Sequence, residues 1–297
     1  MPNWKEVIEE IQACGLAGEK YPFDAVRRKY ISLLHKKSGR NVIAYYSGWL
    51  QKPGLNDTAI NDKDKNAFMA TVHNLPRDLG LDLILHTPGG DLAATESVVD
   101  YLHKMFNGNI RAIIPQLAMS AGTMMALSCT EIIMGKQSNL GPIDPQMGGV
   151  ACQGVLDEFK QALADITANP AAAPLWQTII SKYHPTFLGA CKHAIDWSEI
   201  LVGEWLSKNM CNGDKQLEAK VLKEFGDHSG NKSHARHISA ERCKDMGLKI
   251  IDMEADHELQ GLILTVHHAY MHTFARSNST KIVENQLGVA YIESIPH

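Results

Sequence analysis

Along the first half of the chain, short apolar runs alternate with longer amphipathic stretches. Helical spacing of apolar positions over Asp24–Lys37 precedes a strand-like run at Asn41–Tyr46. The alternation repeats: Asp62–Leu75 leads into Leu81–His86, Asp91–Phe106 into Ile110–Pro115, and Ala118–Cys129 into Glu131–Met134. Strands separated by helices of this length predict βαβ units around a mostly parallel sheet. Right-handed crossovers then align the strand C-termini along one edge, where sites form.

The second half reads differently. From Val155 to about Phe225 the periodicity is helical, interrupted at Pro170, Pro174 and Pro185. Polar and glycine-rich residues from Gly226 to Lys232 predict a loop. Ser239 is placed to cap a short helix through Met246, Gly247 stops it, and Lys249–Asp252 reads as a last strand. His257–Ala275 predicts a terminal helix, with the remaining residues as a tail or arm. The expected organisation is an N-terminal helical segment (residues 1–40), a core (41–152), a helical insertion (153–225) and a C-terminal part of the core with the terminal helix (226–297).

Composition narrows the classes. The 297 residues are 44% hydrophobic and 21% charged, with a formal net charge of -4. A general nucleic-acid binder would show a basic face, so nucleic acid is not an expected partner. Acids interrupt the N-terminal run from Met1 to Cys14, so no signal-peptide core is expected. No stretch approaches the roughly 18 uninterrupted apolar residues of a membrane span. The six cysteines (Cys14, Cys129, Cys152, Cys191, Cys211 and Cys243) form no CxxC pair, which suggests neither a zinc knuckle nor a disulfide framework. Free thiols and a cytoplasmic location are the expectation.

Two turns carry the candidate chemistry. Thr87-Pro88-Gly89-Gly90 follows one apolar strand and precedes a helix; bare glycine amides there can approach a ligand and stabilise an oxyanion. Ala118-Met119-Ser120-Ala121-Gly122 follows the next strand, with the Ser120 hydroxyl near a helix start. Taken singly, the first is an ordinary tight turn and the second an ordinary N-cap. Taken together, two consecutive β-turn-α units bring amides and a hydroxyl to one sheet edge, as acyl transfer requires.

The runs LDLILHTPGGDLAATESVVDYL, RAIIPQLAMSAGTMMAL and NLGPIDPQ resemble the Clp protease and crotonase superfamily, within it the signal peptide peptidase A-like group and most closely the serine dehydrogenase proteinase family. The resemblance is clearest over Leu81–Gln146. It implies an α/β fold with a Clp/crotonase-like, mostly parallel sheet core of βαβ units and a helical C-terminal extension. It also implies Ser120 as nucleophile, the amides of Gly89 or Gly90 and of Ala121 as oxyanion hole, a peptide held in extended form, no cofactor, no metal and a homo-oligomer.

The general base departs from both better-known patterns. Where Clp-type enzymes carry a histidine after the serine, this chain has Asp144. Where signal peptide peptidases supply a lysine, the window holds Lys160, and Gln153 or Gly154 falls nearer the family position. His234, in a polar loop before Ile238-Ser239, is an alternative base, oriented by Asp144, if its loop folds over the sheet edge. Lys136, His86, His267, His268 and His272 read as solvated or packed residues. The Met119, Met124 and Met125 group reads as core, and Trp176, Trp197 and Trp205 as core or subunit contacts. The leading expectation is a serine endopeptidase acting on peptides or unfolded segments through an acyl-enzyme. A crotonase-like acyl-CoA enzyme and a catalytically silent peptide-binding or assembly scaffold are the alternatives.

Overall fold

The computed structural model describes residues 4–226 and 233–295. Two helices, α1 (Trp4–Leu16) and α2 (Pro22–Ser38), lead into β1 (Asn41–Ser47). Then follow α3 (Lys63–Val72), β2 (Leu81–His86), α4 (Leu92–Phe106), β3 (Ile110–Ile114), β4 (Leu117–Ala118), α5 (Ala121–Leu127) and β5 (Glu131–Met134). Short strands β6 (Asn139–Leu140), β7 (Gln146–Met147) and β8 (Val150–Ala151) precede the helical insertion, α6 (Cys152–Ala168), α7 (Ala173–Ile180), α8 (Phe187–Lys208) and α9 (Lys215–Gly226). The chain closes with β9 (Ile238–Ser239), α10 (Ala240–Met246), β10 (Ile250–Asp252), α11 (His257–Arg276), β11 (Ser279–Asn285) and β12 (Ala290–Ser294).

Seven strands form one sheet in the order β10-β5-β3-β2-β1-β11-β12. The five on the β10 side are mutually parallel, and β11 and β12 run antiparallel at the other edge. The fold is therefore the mostly parallel α/β core that the alternation predicts. Strand alternation sorts side chains onto its two faces. Ile43, Tyr45, Leu81, Leu83 and Leu85 enter a core with α3, α4 and α5. Val42, Ala44, Tyr46 and Ile84 enter a second core with α2 and α11. Both faces being covered explains why β1 and β2 read as continuous apolar runs rather than alternating ones.

Three expectations are corrected. The residues after the terminal helix are not a tail: β11 inserts between β1 and β12 and completes the sheet. Charge at buried positions hid that strand, because Lys281, Glu284 and Asn285 are all buried. The helix expected over Ala118–Cys129 starts only at Ala121, because Ala118 pairs in β4. The prolines of the insertion begin helices as well as separate them; Pro174 lies in the first turn of α7, where its missing N–H costs nothing. Of the expected loop from Gly226 to Lys232, Gly226 ends α9, and residues 227–232 lie outside the described residues.

A buried ion network ties β11 to α2. Glu284 of β11, fully buried, accepts from Arg27 Nε at 3.0 Å, Arg28 Nε at 2.8 Å and Tyr270 Oη at 3.1 Å. Arg27 also donates to Thr273 Oγ1 and Asp24 Oδ1. Removing one partner of a buried pair leaves an uncompensated charge, whereas a half-exposed partner adds little. Arg27→Met is expected to destabilise the fold by about 3 kcal/mol or more, and Arg28→Met by less than about 1 kcal/mol, measured by urea unfolding. Equal losses in the two variants would contradict this account of the network.

Candidate active site

Beyond its last main-sheet residue, β2 continues into the diglycine turn and stays paired. Thr87 N donates to Leu117 O at 3.2 Å, and Met119 N donates to Thr87 O at 3.0 Å. That pairing lays the turn 87–90 directly along the segment that carries Ser120. The contact is tight: a Cβ on Gly89 would sit 2.6 Å from Ser120 Cβ and 2.9 Å from Ala121 N. With φ at 94° besides, Gly89 accepts no side chain. On its far side the diglycine pairs with Ile60, whose N donates to Gly89 O at 2.8 Å and whose O accepts from Asp91 N at 2.9 Å. Asp91 then caps α4 by accepting from Ala94 N at 2.8 Å.

Ser120 stands at the N-cap position of α5 with φ 51° and ψ -119°, and its side chain makes no capping hydrogen bond. A non-glycine residue at such a φ stores strain of order 1–3 kcal/mol, which surroundings must hold in place. Here they do. Met124 N donates to Ser120 O, Gly122 N donates to Met119 O, and Thr123 Oγ1 donates to Ala118 O at 2.8 Å. The reading of Ser120 as a helix cap is thereby set aside, since the hydroxyl serves no cap.

A second, three-stranded sheet in the order β4-β6-β9 completes the arrangement. Leu117 and Ala118 pair with Asn139 and Leu140, which pair in turn with Ser239 and Ile238. Each strand has a candidate residue within a few positions: Ser120 after β4, Asp144 after β6, His234 before β9. The β6 exit is fastened by Gly141 N donating to Thr123 Oγ1 at 2.8 Å and by Ile143 N donating to Phe225 O at 2.9 Å.

His234 Nδ1 lies 2.8 Å from Asp144 Oδ1. Asp144 is buried, and His234 is a quarter exposed. Both His234 and Ser120 line one cavity of ≈ 460 Å³, together with Gly89, Gly90 and Ala121. Four of these five residues are turn or helix-start residues from two consecutive βα units. Among the described residues no hydrogen bond joins Ser120 Oγ to His234. The Gly89 amide donates to Thr87 Oγ1 at 3.1 Å, whereas among the described residues the amides of Gly90 and Ala121 have no acceptor. Ala121 N–H is the first of the helix and has no intrahelical acceptor by construction.

The other candidates go elsewhere. Lys160 is largely exposed and pairs with Asp157 at 3.1 Å on the surface of α6. Lys136 bonds through its backbone N to Glu254. Met124 and Met125 are core, and Met124 also lines the cavity. Trp205 is core, Trp176 donates to Asp165 Oδ2, and Trp197 lines the cavity while 40% exposed. His272 bonds to Trp4 O. No group of three metal-ligating side chains occurs among the described residues. Nor, among those residues, is any helix long and apolar enough to cross a membrane.

His86 and His267 form a buried cluster on the sheet face opposite α5. Their rings lie 5.0 Å apart, and His86 packs at 4.3 Å from Trp49. Burial pushes both imidazoles down, His267 to about 3 with a contribution from His268.

A turn of bare amides thus lies beside a strained serine on a mostly parallel sheet of ClpP-like fold. The chain belongs to the ClpP-like SDH-type serine proteinase family, whose pattern matches residues 22–271. It is also similar to two proteins of Methanocaldococcus jannaschii. It is 31% identical over 192 residues to the uncharacterized protein MJ0137 and 28% identical over 191 to the uncharacterized protein MJ1495. Each match covers 64% of this chain, and 60% and 59% of those proteins respectively, so the chain spans about three-fifths of their length.

The depressed His267 gives a pH signature. Its folded form stays neutral down to about pH 3, while the unfolded side chain takes up a proton near 6.5. Its contribution is complete above pH 6.5 and is lost as pH falls from 6.5 towards 3. The slope is at most about 1.4 kcal/mol per pH unit for one group. In urea unfolding from pH 7 to 4, His267→Phe is expected to flatten the decline relative to the unmutated protein. An unchanged slope would mean His267 is not held neutral.

Proposed function

We propose that the protein is a serine peptidase that cleaves peptide bonds through an acyl-enzyme on Ser120. The observation carrying this is the 2.8 Å contact between His234 Nδ1 and buried Asp144, with His234 and Ser120 on one cavity. A carboxylate accepting from Nδ1–H fixes the tautomer that leaves Nε2 as an acceptor. In this reading His234 Nε2 takes the Ser120 proton as Oγ attacks the scissile carbonyl. The carbonyl oxygen becomes an oxyanion against the N–H groups of Gly90 and Ala121, the latter aided by the N-terminal end of α5. His234 then returns the proton to the leaving amine, and water, activated by the same imidazole, releases the acyl group from Ser120.

The bare Gly90 amide beside Ser120 supports a peptide or an unfolded protein segment as substrate, held through its backbone carbonyl. Six unpaired thiols support a reducing, cytoplasmic location. Exposed Leu163, Leu175 and Ile200 on the insertion support assembly into a homo-oligomer.

A serine-reactive fluorophosphonate is expected to label the protein, and Ser120→Ala to abolish labelling. His234→Ala and Asp144→Asn are each expected to lower kcat on a fluorogenic peptide by about 10²–10⁴-fold, the range of a positioned general base. Equal labelling of the protein and its Ser120→Ala variant would overturn the proposal. A full rate with His234→Ala would remove His234 from it.

A further inference from the structure

The lining of the cavity does not come from the α/β core alone. Helix α8, in the insertion, contributes Ala194 and Trp197, one helical turn apart and so on the same face. From the core come the apolar side chains of Leu92, Met124, Ile143 and Met147. Among the described residues, the one ionisable side chain on the cavity besides His234 is Asp91, whose carboxylate accepts from Ala94 N as the cap of α4. Among the described residues no lysine, arginine or glutamate lines it. Trp197 is 40% exposed although it borders an apolar hollow. An indole in that position gains by being covered, because large aromatic surface contributes most when it leaves water. A charged substrate side chain entering the same hollow would lose its hydration and find, among the described residues, no counter-charge other than the engaged Asp91.

We propose that helix α8 forms the specificity wall of the site, with Ala194 and Trp197 selecting a bulky, uncharged side chain on the residue whose carbonyl Ser120 attacks. This rests on the peptidase reading above and adds its substrate class. The insertion thereby acts as a sieve: Trp197 supplies contact area, and the small Ala194 leaves the depth that a leucine or phenylalanine needs.

The test is a series of fluorogenic peptides identical except at the residue preceding the scissile bond, which is Leu, Phe, Ala, Lys or Glu. For the unmutated protein kcat/KM is expected to be about 10–200-fold higher for Leu and Phe than for Ala, the range that apolar pocket contacts provide, with Lys and Glu lowest. Trp197→Ala is expected to compress the Leu-to-Ala ratio by about tenfold. Ala194→Trp is expected to exclude Phe while the Ala peptide is still cleaved. Circular dichroism and thermal unfolding establish that both variants are folded. Hydrolysis that depends on Ser120 but proceeds equally well with Lys and Leu would overturn the specificity wall and leave the peptidase reading standing. So would an unaltered ranking in both folded variants. Hydrolysis unaffected by Ser120→Ala would overturn both.

Discussion

Strand β6 is two residues long, yet it pairs on one side with β4 and on the other with β9. This double pairing is the constraint on which the site depends. Serine, aspartate and histidine lie at positions 120, 144 and 234, and nothing local could bring them together. The backbone hydrogen bonds of the small sheet fix the exit of one segment, the exit of the second and the entry of the third within one region. Side-chain locks then reduce the remaining freedom. Thr123 Oγ1 bridges Ala118 O and Gly141 N, joining the β4 turn to the β6 exit through one hydroxyl. A hydroxyl that donates to one and accepts from the other uses both its capacities.

The diglycine turn is held by the same kind of economy. Its outer edge pairs with Ile60, and Ala59 O just before it accepts from buried Lys281 Nζ at 2.8 Å. Lys281 in turn pairs with Asp64, which also accepts from Tyr45 Oη and Asn61 N. A buried, fully engaged polar cluster of this sort specifies one arrangement of the chain more than it adds net stability. Here the arrangement it specifies is the position of Gly89 and Gly90 against Ser120. Strand β11, which supplies Lys281 to this cluster and Glu284 to the Arg27 network, is thus linked both to the segment that pairs with the diglycine turn and to α2.

The fold was legible where burial acts on both faces of a strand. Leu81–His86 and Glu131–Met134 read as strands because every residue between the turn signals is apolar or packed, and the observed limits coincide. The two candidate turns were legible because diglycine and small residues at strand-to-helix junctions answer a steric need, which the contact of Gly89 with Ser120 bears out. Two-residue strands were not legible. Leu117–Ala118, Asn139–Leu140 and Ile238–Ser239 are too short to show a period, so the sheet that gathers Ser120, Asp144 and His234 left no trace in the pattern. The His234–Asp144 pair was reachable only from the chemical demand for a base together with the position of His234 before a helix-capping serine. The final hairpin was missed because Lys281, Glu284 and Asn285 interrupt its buried apolar positions; its one overt signal was the Gly288 turn between two runs of β-branched and aromatic residues.

The central claim is that Ser120, His234 and the amides of Gly90 and Ala121 converge on one reacting carbonyl. The most direct measurement is a crystal structure of the protein with a peptidyl boronic acid or phosphonate bound. The account predicts a covalent bond from Ser120 Oγ to boron or phosphorus. It also predicts one oxygen within about 2.7–3.1 Å of both amides and His234 Nε2 in hydrogen-bond reach of the adduct. An inhibitor attached elsewhere, or one whose oxygen points away from the diglycine turn with His234 turned out to solvent, would contradict it.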